Sequence, residues 1–361
     1  MKSAMPISWL VALLVLAGSL TPQRASGQEI MTFRLDQNPF DLAISPDGAT
    51  LAIRTNNGRN NEIQLWDLGT QKIRNAIPLP QSSSSWNLKY SKDGSRLITT
   101  SREKKEGAKA EMAVVLYYDL LVGMQFEKIS LTETLGCKLI TEDGSIGVGY
   151  ADGFADKNPR ILDIWNKKSV VLQGHKIRPA VVLISPDRKR VATFSTDKDP
   201  LRIWEYPSGK LMHATDAKYS FGSLAASLSF SPDSKTLAIH GLVPRGLLFF
   251  DVESGKTIGK DLNKLGPVIL PVRGPVLFLA DGKHVVCSAY PENVGVSSRS
   301  QDLEIWNVAT QKKVKVLQHT AGPSGNEILI LSPDGKLLAR SSGQRTIHIW
   351  QVPDLLKKGG K

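Results

Sequence analysis

The phrase "SPDGATLAIR", beginning at Ser45, returns as "SPDRKRVATF" at Ser185, "SPDSKTLAIH" at Ser231 and "SPDGKLLARS" at Ser332. Looser copies complete a series of seven aspartates: Asp47, Asp93, Asp143, Asp187, Asp233, Asp281 and Asp334. Their intervals are 46, 50, 44, 46, 48 and 53 residues. A period of this size marks units too small to bury an apolar face alone, which must stack to form a core. A glycine follows the aspartate in five units, and Arg188 and Ser234 replace it in the other two. Asp-Gly between two alternating apolar runs is a strong hairpin signal. Glycine accepts positive φ, aspartate bonds nearby backbone, and the preceding proline fixes its own φ. A calcium site would need several oxygen ligands converging on one ion. Each turn offers one aspartate, and Arg188 would repel a cation, so the aspartates read as turn residues.

After each turn comes a β-type run ("TLAIRT", "RLITTS", "RVATFS", "TLAIHG"), then a second run ending in an aromatic ("EIQLWD", "VVLYYD", "ILDIWN", "LRIWEY", "LLFFDV", "LEIWNV", "IHIWQV"). Alternating apolar residues bounded by turn signals are strand signatures. A third run follows in most units, as in "SVVLQGH", and a fourth precedes each turn, as in "ASLSFS". Four strands in each of seven units predict an all-β, seven-bladed β-propeller spanning 28–361 as a single domain. The endings "LWD", "IWN", "IWE" and "IWQ" resemble the Trp-Asp signature of the WD-repeat family, although only Trp66–Asp67 keeps the full dipeptide. The resemblance implies that an N-terminal strand completes the last blade. Residues 29–35 ("EIMTFRL") are therefore expected beside residues 346–352, which would remove an open sheet edge.

The first 27 residues differ in kind. Lys2 precedes an apolar run of 14 residues, Ile7 to Leu20, and the small-residue segment "ASG" ends at Gly27. A membrane-spanning helix needs about 20 residues, so this reads as a secretory signal peptide, with an uncleaved membrane tether as the alternative. Ser19 stands where a lipobox would need cysteine, which argues against lipidation. Export to the periplasm or medium is the expectation, and the lack of any Asn-x-Ser/Thr acceptor leans toward a bacterial source. Without residues 1–27 the chain carries 44 basic and 34 acidic side chains, a net charge of +10. Such a surplus favours anionic partners at long range. Two cysteines, Cys137 and Cys287, do not make a disulfide framework.

The resemblance also implies a hydrogen-bonded tetrad linking histidine, hydroxyl, aspartate and tryptophan inside a blade. The fourth unit comes nearest, with His175, Ser195 (or Thr196), Asp197 and Trp204. Elsewhere the pattern decays: His319, Ser341 and Trp350 have Gln344 where an acid would stand. The tetrad superficially resembles a Ser/His/Asp catalytic set, but the tryptophan and the absence of a Gly-x-Ser-x-Gly elbow favour a structural network.

Function is sought on the face opposite the Asp-Gly turns. The distance from turn aspartate to aromatic is 16 to 19 residues in units one, four, five and seven, 25 in units two and six, and 22 in unit three. The extra residues lie in "SREKKEGAKAE", "ADGFADKNPR" and "YPENVGVSSRSQD". They place Arg102, Lys104, Lys105, Lys109, Phe154 and Tyr290 on one face with Lys176 and Arg178. Mixed charge with a few aromatics suits a protein interface. The expected protein is a non-catalytic, monomeric scaffold for another protein, with no cofactor, no metal and no nucleic acid as partner. Two alternatives stand beside it: a propeller hydrolase or lactonase with a channel site, and electrostatic attachment to an anionic envelope polymer. The mainly apolar innermost runs ("VVLISP", "ILILSP") count against the enzyme.

Overall fold

The computed structural model describes residues 29–56, 61–79, 87–103, 112–122, 124–131, 136–150, 156–195, 201–215, 227–242, 245–259, 275–289, 302–317, 327–341 and 345–357. The segment read as a signal peptide lies outside them. Seven antiparallel sheets follow one another along the chain, and each is a blade. In the fourth blade the order is Val181–Ile184, Arg190–Phe194, Arg202–Glu205, Leu211–Ala214, from the inside outward. Five others repeat it, with four consecutive strands or, in the last, one drawn from the N-terminus. In the fifth blade the outer position next to Arg245–Asp251 is taken by Lys256 to Ile258. There Phe250 bridges Thr257, and the Ile258 amide donates to the Phe249 carbonyl.

The ring closes as the N-terminal strand was expected to close it. Glu29–Arg34 pairs antiparallel with Thr346–Gln351, Glu29 opposite Trp350 and Phe33 opposite Ile347. His348 fastens the join from the side: its Nδ1 lies 2.8 Å from Glu29 Oε1 and 3.3 Å from Thr32 Oγ1. The chain then turns into a short helix, Val352–Leu356, rather than a further strand. Pro353 cannot donate to a ladder but is accepted in a first helical turn.

The core is divided among the blades. Seven clusters of buried side chains fill seven gaps between neighbouring blades, and each draws on two of them. This follows from strand alternation: successive side chains face opposite sides of a blade, so each strand feeds two gaps. Leu51 and Ile53 pack toward the last blade while Ala52 packs toward the second.

The repeated aspartates each spend at least one carboxylate oxygen on their own turn. Asp187 Oδ1 accepts from the Ser185 hydroxyl at 2.6 Å and the Lys189 amide at 3.0 Å, and Asp47, Asp93, Asp143, Asp233 and Asp334 are held alike. The third turn residue takes positive φ even where glycine is missing, 59° at Arg188 and 64° at Ser234. Both substitutes bond to a neighbouring blade. Arg188 donates to Asp143 at 2.7 Å, and Ser234 Oγ accepts the Asp187 amide at 3.0 Å.

Candidate interaction surface

Second strands end, and third strands begin, at the face opposite the aspartate turns. The segment 172–180, which joins the third blade to the fourth, is the longest described connection on that face. His175 is buried, and its Nε2 lies 3.1 Å from Thr193 Oγ1. The Trp204 indole N–H donates to the same hydroxyl at 2.9 Å. Asn158 Oδ1 holds the segment from outside, accepting the amides of Gly174 and His175.

This network corrects the tetrad read from sequence. His175 and Trp204 meet as expected, but the hydroxyl between them is Thr193 and not Ser195. Ser195 points to the same side, two residues along, and is just as buried; its hydroxyl has no hydrogen-bond partner among the described residues. Alternation allows either hydroxyl to face the tryptophan, and only the cross-strand register selects between them. Val191 pairs with Trp204 and Thr193 with Arg202, so Thr193 lies one step from the indole. Asp197, the proposed acid, lies outside the described residues. Neither Asn158 nor Thr193 was singled out from sequence; the "NPR" before the third strand was the one available hint.

Of the expected interface residues, Lys104, Lys105, Lys109, Phe154 and Tyr290 lie outside the described residues. Arg102 sits at the end of the strand Arg96–Glu103, partly exposed, and Lys176 is exposed. Arg178 is not extended toward solvent: its guanidinium lies 3.8 Å from the centre of the Tyr150 ring, whose hydroxyl donates to the Pro179 carbonyl at 3.0 Å. A cation over an aromatic face is held by the ring quadrupole. Between them Ile177 is exposed. The segment thus presents a knuckle of a stacked arginine, an exposed lysine and one apolar side chain.

Polar groups also line the innermost strands, and most tie blades together. The Asn87 amide donates to the Cys137 carbonyl at 3.1 Å. The Ser229 hydroxyl accepts the Phe278 amide at 2.9 Å. Glu327 Oε1 accepts from the Ser288 hydroxyl and lies 2.6 Å from the buried Arg340 Nε; burial still pushes its carboxyl above the ordinary range. At the start of the first blade, burial raises Asp41 to about 6, against the pull of nearby Lys89 and Arg54. Among the described residues no three His, Cys, Asp or Glu side chains gather as a metal site would require. Cys137 and Cys287 are free, buried thiols in different blades, and burial pushes Cys137 up to about 12.

No family model matches the chain, and no curated protein matches it in sequence. In three dimensions it is similar to a chain of the solved structure described as "Crystal Structure of Mitotic Checkpoint Complex", with a TM-score of 0.64. The match covers 97% of this chain and 99% of that one at 14% identity. Likeness at that identity shows a common propeller fold.

Proposed function

We propose that this protein is a non-catalytic scaffold of WD-repeat type, exported from the cytoplasm, that binds another protein through the face opposite its aspartate turns. The observation carrying this reading is the asymmetry of the two faces. The turn face spends its carboxylates and serines on its own backbone, whereas every unit with an enlarged connection enlarges it on the other face. Loops on a fixed scaffold are where binding residues concentrate. The fold neighbour comes from a structure described as a complex, which is in keeping with such a role. Export rests on residues 1–27 alone.

The reading is tested by recovering the tagged full-length chain from cell fractions after crosslinking, beside a variant with residues 104–110 and 291–300 replaced by short Gly-Ser links. A partner captured by the native chain and lost from the variant, at equal thermal stability, supports the scaffold. Capture unchanged in the variant, or a chain found only in the cytoplasm, overturns the corresponding half. A salt wash separates the alternative drawn from net charge. Attachment to an anionic polymer would be released at moderate ionic strength, because exposed charges are screened beyond about 8 Å at physiological salt.

A further inference from the structure

On the turn face a cleft of about 410 Å³ opens between the first and second blades. Leu65 and Leu120 line it, together with Asp47 and Asp93 from two successive turns. Asp47 spends only Oδ1 on Ser45 and the Ala49 amide, which leaves Oδ2 for another donor. Hydrogen bonds from Ser91 and Ser95 hold Asp93 down to about 2, so it is an anion at any physiological pH.

A second, independent observation lies within the cleft. Tyr90 lines it at 4% exposure, and its buried hydroxyl has no hydrogen-bond partner among the described residues. A buried hydroxyl left without a partner is desolvated with nothing in return, so a polar group entering the cleft would gain by bonding to it. The lining has one cation, Arg74, which is 61% exposed and lies 3.7 Å from Asp67, outside the lining. Two carboxylates against one already paired guanidinium make this an acidic spot on a chain of net charge +12. Beyond Leu120 the turn presents Leu121 at 85% and Val122 at 61% exposure, and Asp119 accepts both backbone amides and fixes the turn.

We infer that this cleft receives the side chain of a lysine or arginine from a partner polypeptide. Its charged end would lie among Asp47, Asp93 and the Tyr90 hydroxyl, its stem against Leu65 and Leu120, and an apolar neighbour on Leu121 and Val122. The inference rests on the scaffold reading but adds a second contact face and a recognition chemistry for it.

The test is fluorescence anisotropy with the full chain and a labelled dodecapeptide carrying Leu-Lys-Leu at its centre among glycine and serine. Two counterparts carry norleucine or glutamate in place of the lysine. The lysine peptide should bind about tenfold or more tighter than the norleucine peptide, as expected for a lost charge-assisted hydrogen bond. Arg74→Gln should tighten binding by removing a competing cation. Tyr90→Phe should weaken it by about three- to tenfold with the thermal midpoint unchanged or raised, so misfolding cannot imitate the result. Equal binding of the three peptides, preference for glutamate, or no effect of Tyr90→Phe overturns the inference. A partner captured through the opposite face would survive that outcome, so the two readings fail separately.

Discussion

At the scale of single residues, the Thr193 hydroxyl makes the sharpest claim. It serves His175 and Trp204 at once, so removing it takes a hydrogen bond from each of two buried side chains. Thr193→Val should lower stability by about 1–3 kcal/mol, and Thr193→Ser should recover most of it in denaturant unfolding. Ser195→Ala should be nearly silent, because that hydroxyl holds nothing among the described residues. A titration carries the second residue-level prediction. Asp143 is held down to about 2 in the fold by Thr141, Ser145 and Arg188, which outweigh its partial burial. Its folded value lies below the ordinary 3.8, so its contribution is fully present above about pH 4 and fades as pH falls toward 2. Asp143→Asn should therefore lower the thermal midpoint at pH 7 and cease to matter near pH 2. The side chain is 41% exposed, so solvent screening limits the effect to about 1 kcal/mol or less.

At the scale of elements, each blade is a marginal four-stranded sheet stabilised by two apolar gaps, and the ties between blades decide which edges can part. Deleting residues 29–35 strips the last blade of its outer strand and exposes the edge of Thr346–Gln351. Exposed edges pair with other chains, so this variant should elute as aggregates or unfold well below the native midpoint. Supplying the missing strand as a peptide should partly restore it. The pair Glu327–Arg340 joins the sixth and seventh blades through Ser288. Arg340→Met would leave a buried carboxylate without its cation, at a cost of about 3–5 kcal/mol. The double variant with Glu327→Gln should be milder, a comparison that unfolding curves in urea resolve.

At the scale of the whole molecule, the two faces are chemically unlike. The turn face carries aspartates held by the serines, threonines and amides of their own turns, and a cleft opens there between the first and second blades. The other face bears the connections whose lengths vary, and its described residues include the knuckle of Lys176, Ile177 and Arg178. Lys176→Glu with Ile177→Ser should lower partner capture without moving the unfolding midpoint, since both side chains are solvent-exposed. A fall in stability instead would mark the knuckle as part of the fold.

How much of this was legible follows from the reach of each interaction. Strand alternation and Asp-Gly turns are local, fixed within a few residues, and seven repetitions made even imperfect copies readable; blade number, strand order and ring closure followed. The tetrad was half legible: its histidine and tryptophan are flagged by residue type, but alternation presents Thr193 and Ser195 equally. The interface lysines of the second unit and the aromatics Phe154 and Tyr290 lie outside the described residues.

Periodicity and turn chemistry act between near neighbours, so the seven-fold ring of blades and the face on which its connections vary are written in the chain's local pattern. That Thr193 closes the network, that Arg188 and Ser234 bond to neighbouring blades, and that a cleft opens beside Tyr90 emerge from the folded packing. The Thr193 network joins side chains 11 and 18 residues apart, and the Arg188 and Ser234 bonds join side chains 45 and 47 residues apart. They are brought within a few ångströms by the register and packing angle of adjacent blades, which no local pattern encodes.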